Sequence, residues 1–399
     1  MIAHTDTQFH SSPATGFSPR GEGIRTLQLG MNWFPERPGG LDRYFYDLQH
    51  RFAGAGIRCH GLVCGSSAVT EQSKGTVQSV APIKSGMPIR LLGFRHGLIQ
   101  ELCDFKPHIV GGHFALYTWP VLGRMKRLPL IQHFHGPWFS ESKLEGMSRF
   151  NCWARHKVER AVYRRADRLI TLSEVFKDVL ISDFGISESR IKVIPGGVDC
   201  ARFAVPQSRA QAREMLGWPK DRPIVLTVRR LTPRMGLGNL IDAAVTIRAE
   251  HPDVLILIAG SGRLRESLQA KIDSLNLNDH VRLVGYVPDE KLALCYRAAD
   301  LSVVTSTALE GFGLVAVESL AAGTPALVTP VGGLREVIRP FNEQLLLRGF
   351  TTADVTDGLL QHLANLNRLP DVASCREYAD RYDWTTVTQA IRGVYSSVL

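Results

Sequence analysis

Two carboxylates eight residues apart, Glu310 and Glu318, bracket a glycine-rich turn in the segment STALEGFGLVAVESLAAGTPALVTPVGG (306–333). Gly311, Phe312 and Gly313 let the backbone approach a ligand closely. Their N–H groups, with the N-terminus of the helix that follows, form an anion site for a phosphate or an electron-rich sugar hydroxyl. Leu314, Val315, Val317 and Leu320 mark that helix as mostly buried, so an ionised Glu318 within it needs hydrogen-bonding partners such as two ribose hydroxyls. Arg229, Arg230 and Arg234 crowd the stretch TVRRLTPRMGLG, where guanidinium forks can hold phosphate oxygens. His133 and His135 point the same way along a strand, a spacing that suggests a metal, but no third ligand follows at a suitable distance. No Asp-x-Asp pair occurs. Gly260-Ser261-Gly262 is a poor dinucleotide fingerprint, because Arg265 stands where a small residue is needed, and a nicotinamide reading is disfavoured.

Positioning these groups requires a scaffold of strands and crossover helices. Short apolar runs read as buried parallel strands at Arg25–Leu29, His60–Val63, Ile109–Gly111, Leu130–His133, Leu169–Leu172 and Lys192–Ile194. A second series runs Ile224–Val228, Val254–Ala259, Val281–Val284, Leu301–Val304 and Ala326–Val328. Two α/β series separated by the Pro- and Gly-containing stretch PGGVDCARFAVPQSRAQA imply two Rossmann-like, doubly wound domains facing each other across a cleft. Ligands then bind in the loops after strands, where Glu310, Arg230, His135 and the pair Gly39-Gly40 all fall.

The 399 residues suit two domains. Residues 1–24 are polar, lack the apolar core of a signal peptide and are expected to be a disordered tail. No apolar run is long enough to span a membrane, which points to the cytoplasm. Seven cysteines without Cys-x-x-Cys spacing argue against a zinc site or a disulfide framework. Net charge is +9 and uneven: residues 1–200 carry 25 Lys and Arg against 17 Asp and Glu, whereas residues 201–399 carry 22 against 21. The helical run Arg155, Lys157, Arg160, Arg164, Arg165 and Arg168 suits anionic lipid or a phosphorylated acceptor, or is a solvated helix face relieved by Glu159 and Asp167. No nucleic-acid-reading motif accompanies the charge.

The Glu310-x7-Glu318 pattern with Gly-Phe-Gly resembles the hallmark of family 4 retaining glycosyltransferases, which have the GT-B fold. IKVIPGGVDCARF (191–203), TVRRLTPRMGLGNLIDA (227–243), LILIAGSGRLRESL (255–268), VRLVGYVPDEKLALCYRAADLSVVTS (281–306) and DWTTVTQAIRGVY (383–395) match further family segments in order, so the resemblance covers residues 25–399. It implies an acceptor-binding domain at 25–200, a donor-binding domain at 201–380 and a helix at 381–399 that crosses back to the first.

By the same resemblance, His135 meets a donor-sugar hydroxyl and Glu310 positions that sugar. Gly39, Gly40, Arg230, Arg234, Gly262, Tyr286, Val287, Gly311, Phe312, Gly313, Leu314 and Glu318 border the nucleotide sugar. The family's phosphate-loop Lys is Met235 here, with Arg234 one residue earlier. Most members also show Asn at Gly196. The implied reaction is metal- and cofactor-free transfer, with retention, of a hexosyl or N-acetylhexosaminyl group from a nucleoside-diphosphate sugar, UDP favoured over GDP and ADP. The acceptor is lipid-linked, phosphorylated or a small polyhydroxy compound. The alternatives are a non-catalytic sugar-nucleotide-binding module and another GT-B enzyme, such as an epimerase or a phosphorylase.

Overall fold

The computed structural model describes residues 23–37 and 39–399. The expected tail, 1–24, lies outside the described residues except for Gly23 and Ile24, and Ile24 already opens the first strand.

Seven strands, β1 (Ile24–Asn32), β2 (Ile57–Cys64), β3 (Val77–Ala81), β4 (Ile109–Gly112), β5 (Leu130–Phe134), β6 (Arg168–Thr171) and β7 (Ile191–Val193), form one sheet in the order β3-β2-β1-β4-β5-β6-β7. Five more, β8 (Ile224–Val228), β9 (Leu255–Ala259), β10 (Val281–Gly285), β11 (Leu301–Val304) and β12 (Ala326–Val328), form a second in the order β10-β9-β8-β11-β12. Every pairing is parallel. β5 and β9 are buried along their whole length, as strands covered by helices on both faces must be.

β3 is the strand that apolar runs do not reveal. Its sequence VQSVA is buried only at its two ends and sits at the sheet edge, where one side needs little apolar character.

Strand order reverses between β1 and β4 in the first sheet and between β8 and β11 in the second, and a crevice opens at the carboxyl ends of each such pair. Register matters at the first of these points: Gln28 on β1 lies beside Gly111 on β4.

The helix Trp384–Ser396 packs Trp384, Val387, Ile391 and Tyr395 against Tyr44, Leu48, Ile109 and Ile131, so one face of this helix is buried with the first sheet. Asp383 caps this helix at the Thr385 N–H and forms a backbone bridge with Val198. No helix of the described residues is long and apolar enough to cross a membrane.

Candidate active site

A cleft of about 700 Å³ separates the two sheets at their carboxyl ends. The wall built by the second sheet is charged. Arg229 directly follows β8 and directs its guanidinium at the Glu310 carboxylate and at Ser306 Oγ (2.5 Å); Ser306 also donates to Glu310 Oε2 at 2.8 Å. Burial pushes the Glu310 carboxyl up, but the Arg229 charge and the Ser306 hydroxyl outweigh it and hold the group below its ordinary value. Arg229 Nε has no partner among the described residues.

The loop carrying Glu310 is locally strained. Leu309 has φ of +50°, a conformation uncommon for a bulky residue, and it is held there by contacts on both sides. Arg234 Nη1 donates to the Leu309 carbonyl at 2.9 Å, and the Gly333 N–H donates to the Glu310 carbonyl at 2.9 Å. A Cβ on Gly332, itself at φ +56°, would collide with the Glu310 backbone, so this crossing requires glycine. Gly311, Phe312, Gly313 and Leu314 follow along the cleft, and Gly313 (φ +95°) turns the chain into the helix Leu314–Ala321.

Arg230 is exposed on the cleft wall, with no ion-pair partner among the described residues. Arg234 does not point to solvent; besides Leu309 it contacts Glu141 Oε1 at 3.1 Å, across the cleft. Met235 is buried in the second core and brings no charge. Tyr286 is exposed at the rim beside half-buried Val287.

Two expected contacts are placed differently. Gly262 does not line the cleft, although Gly260 and Ser261 do. A Cβ at 262 would press on the Leu231 backbone, so this glycine serves loop packing. Glu318 is buried as expected but faces a narrow pocket beside the main cleft, shared with Arg43 and Arg202. Tyr296 Oη donates to Glu318 Oε2 at 3.1 Å; burial raises the Glu318 carboxyl, and Arg43 and Arg202 oppose the rise.

Arg43 arrives from the opposite domain. It lies on the helix Gly40–Arg51 and grips Asp289, with Nη2 to Oδ2 at 2.6 Å, while Arg202 Nη1 reaches the same Oδ2 at 2.5 Å. Glu336 adds a third bridge by accepting from the Glu174 and Val175 N–H groups at 2.8 and 3.0 Å.

The wall built by the first sheet carries Arg37, Asp42, Arg43 and Glu141, but around His135 it is uncharged. Gly39 and Gly40 begin the helix Gly40–Arg51, and a Cβ at Gly40 would meet nothing within 4 Å, which leaves the helix N-terminus open to the cleft. His135 follows β5, with its Nε2 3.3 Å from His113 Nδ1. His113, His133 and His135 stand as a near-parallel stack, the first two rings 4.4 Å apart between centroids. Burial lowers all three, His135 to about 3, so they are neutral imidazoles near pH 7. Among the described residues no group of three or more His, Cys, Asp or Glu is arranged to hold a metal ion.

Trp138 is packed, with the Arg155 guanidinium over its ring at 4.2 Å and Phe114 against it edge-on. Glu159 is fully buried and caps the Trp138 and Phe139 N–H groups at 2.9 and 3.0 Å, so it does not belong to a solvated face of the basic helix.

Comparison with known proteins decides what carries this site. Residues 208–381 match the family described as glycosyl transferases group 1, and residues 38–202 match glycosyltransferase family 4. The chain is 34% identical over 390 residues to D-inositol 3-phosphate glycosyltransferase 2 of Catenulispora acidiphila, covering 90% of each chain. This chain belongs to the group 1 (family 4) glycosyltransferases. The fold of the glycosyltransferase is GT-B. Sucrose-phosphate synthase from Thermosynechococcus elongatus superposes with a TM-score of 0.81 at 22% identity, covering 94% of this chain and 99% of that one. HepE from Anabaena, in complex with UDP and glucose, does so with a TM-score of 0.76 at 21% identity, covering 94% and 100%. The enzyme uses a nucleotide-sugar donor.

The cleft of this glycosyltransferase gathers Gly39, Gly40, His135, Arg230, Arg234, Tyr286, Val287, Glu310 and the turn to Leu314, and leaves out Gly262 and Glu318. The sequence groups Arg229 with the arginines suited to phosphate rather than with Glu310, and it does not single out His113, Ser306, Glu141, Arg43 or Asp289. His113 had a readable signal, since it directly follows Gly111-Gly112 at the end of β4. The ion-pair partners had none, because each pair joins segments far apart in the chain.

Proposed function

We propose that the enzyme transfers a hexosyl or N-acetylhexosaminyl group, with retention, from a UDP-sugar to an acceptor hydroxyl, without a metal or another cofactor. The observation that carries this reading is the Glu310 carboxylate, held ionised by Arg229 and Ser306 on a cationic wall, opposite His135 and the Gly39-Gly40 helix N-terminus. The UDP and glucose held by the Anabaena neighbour favour UDP over GDP or ADP.

Residues 201–380 bind the donor, residues 25–200 receive the acceptor, and residues 381–399 tie the chain's end to the acceptor side. Arg230, Arg234 and the helix N-terminus at Leu314 stabilise the departing diphosphate. Glu310 and His135 orient the sugar. The acceptor oxygen bonds to the anomeric carbon on the face from which the diphosphate leaves; the carbon–oxygen bond to the diphosphate breaks, and a diphosphate oxygen takes the acceptor's proton. Glu318 binds the ribose hydroxyls once Arg43 gives way.

Inositol 3-phosphate, named for the relatives, is the first acceptor to try, as a phosphorylated polyol. One observation favours a lipid-linked acceptor. Ile89, Leu92, Trp119, Phe150 and Trp153 are exposed on helical segments packed against one another, with Arg149 and Lys157 among them. Aromatic and basic residues interleaved in this way suit the head-group layer of an anionic bilayer, so the enzyme works from the cytoplasmic side as a peripheral protein.

Thermal-shift measurements with UDP, GDP, ADP and their sugar conjugates in EDTA test the donor. A ligand at 100 times its Kd adds about 2.7 kcal/mol. The UDP series should stabilise the wild type and leave Glu318→Ala unmoved. Stabilisation only on adding a divalent metal, or only by another nucleotide, contradicts the reading.

A further inference from the structure

The hydrogen-bond pattern behind His135 dictates which of its nitrogens carries the proton. Thr26 Oγ1 gives its proton to the Ile109 carbonyl (3.3 Å) and therefore accepts from Gln28 Nε2, 2.6 Å away. That contact orients the Gln28 amide, so Gln28 Oε1, 2.9 Å from His113 Nε2, must accept and His113 must carry its proton there. His113 Nδ1 is then a lone pair, and the neighbour 3.3 Å away, His135 Nε2, must be the donor. Burial keeps both rings neutral, so His135 has no second proton, and its Nδ1 is an acceptor without a partner among the described residues.

The far end of this relay is the C-terminal helix. Tyr395 Oη lies 3.0 Å from Gln28 Nε2 and 3.0 Å from His133 Nε2, fully buried. The space exists because Gly111 lacks a side chain: a Cβ there would run into both the Gln28 amide and the Tyr395 hydroxyl.

We propose that Gln28, His113 and Tyr395 are positioning residues that lock His135 as its Nε2–H tautomer, so that the cleft presents Nδ1 as an acceptor for a hydroxyl of the bound sugar. The sugar-binding consequence rests on the function proposed above; the tautomer does not. The site selects a ligand that donates at this point, and a donor analogue with that hydroxyl replaced by hydrogen or fluorine loses the contact. The docking of the chain's last helix thereby bears on sugar recognition in the cleft.

Long-range 1H–15N NMR of the histidine-labelled full chain reads the tautomer directly. The wild type should show His135 protonated at Nε2 and bare at Nδ1. Gln28→Met, which removes the acceptor for His113, should mix the His135 tautomers. Its Kd for a UDP-sugar should rise about three- to tenfold while that for UDP stays unchanged, the size of one net hydrogen bond. Tyr395→Phe is the milder variant should Gln28→Met fail to fold, and should shift the pattern in the same direction. A wild-type His135 protonated at Nδ1, or folded variants whose His135 pattern matches the wild type, overturns the proposal. A correct tautomer shift without any UDP-sugar binding instead contradicts the proposed donor.

Discussion

The two walls of the cleft work by opposite means. The second sheet's wall is ionic: Arg229, Arg234 and Glu310 sit on one short loop system, and strain at Leu309 is held by Gly332 and Gly333. The first sheet's wall carries Arg37, Asp42, Arg43 and Glu141, but around His135 it is uncharged and directional, built of stacked imidazoles whose orientation is set from Thr26 and Tyr395. A departing diphosphate needs charge, whereas a sugar needs donors and acceptors aimed at particular hydroxyls. The arginines of the second wall suit the diphosphate, while His135 on the first wall and Glu310 on the second would both face the sugar.

The sharpest break between the walls comes from Arg229→Met, which leaves Glu310 buried and unpaired. It should cost about 3–5 kcal/mol in urea unfolding and abolish turnover. Adding Glu310→Gln should recover much of the stability and none of the activity. Truncating a neutral partner on the other wall, as in Tyr395→Phe, should cost about 1–3 kcal/mol.

Acid and base separate the two domains next. The Glu310 carboxyl is depressed, so its contribution is present above about 4.5, the ordinary carboxyl value, and is lost as pH falls below it. Glu159, in the first domain, is pushed up to about 7 by burial. The folded chain therefore holds a proton there that the unfolded chain releases near 4.5, and Glu159 costs stability increasingly as pH rises from about 4.5 to 7. Between pH 5 and 8 the wild type should lose on the order of 1–3 kcal/mol relative to Glu159→Gln, checked by urea midpoints at the two values. Equal slopes would place Glu159 in a more solvated setting.

The smallest effect on stability lies on the outer face of the first domain. Phe150→Ser with Trp153→Ser should change unfolding by no more than about 0.5 kcal/mol per site yet weaken co-sedimentation with phosphatidylserine vesicles. Unchanged co-sedimentation would remove the argument for a bilayer-held acceptor.

The same contrast explains what could be read in the sequence. Glu310, the Gly311–Gly313 turn and Arg234 lie on contiguous stretches whose residue types announce their chemistry. Eleven of the twelve strands appear as short apolar runs; β3 does not, because its VQSVA sequence meets solvent at the sheet edge. The imidazole wall was illegible beyond His135 and its glycines. Gln28 and Tyr395 are 367 positions apart, and an amide and a phenol in ordinary apolar stretches carry no sign of each other. Gly262 shows the converse, since a motif can specify a residue type without specifying which side of a loop it faces.

The division of labour between the walls is tested most directly by calorimetric titration of UDP and UDP-glucose, in EDTA, into the wild type, Arg230→Ala and His135→Ala. Arg230→Ala should weaken both ligands by the same factor, because it meets the diphosphate they share. His135→Ala should weaken UDP-glucose alone. Equal weakening of UDP by His135→Ala would contradict the account, because the imidazole wall would then be holding the nucleotide and not the sugar.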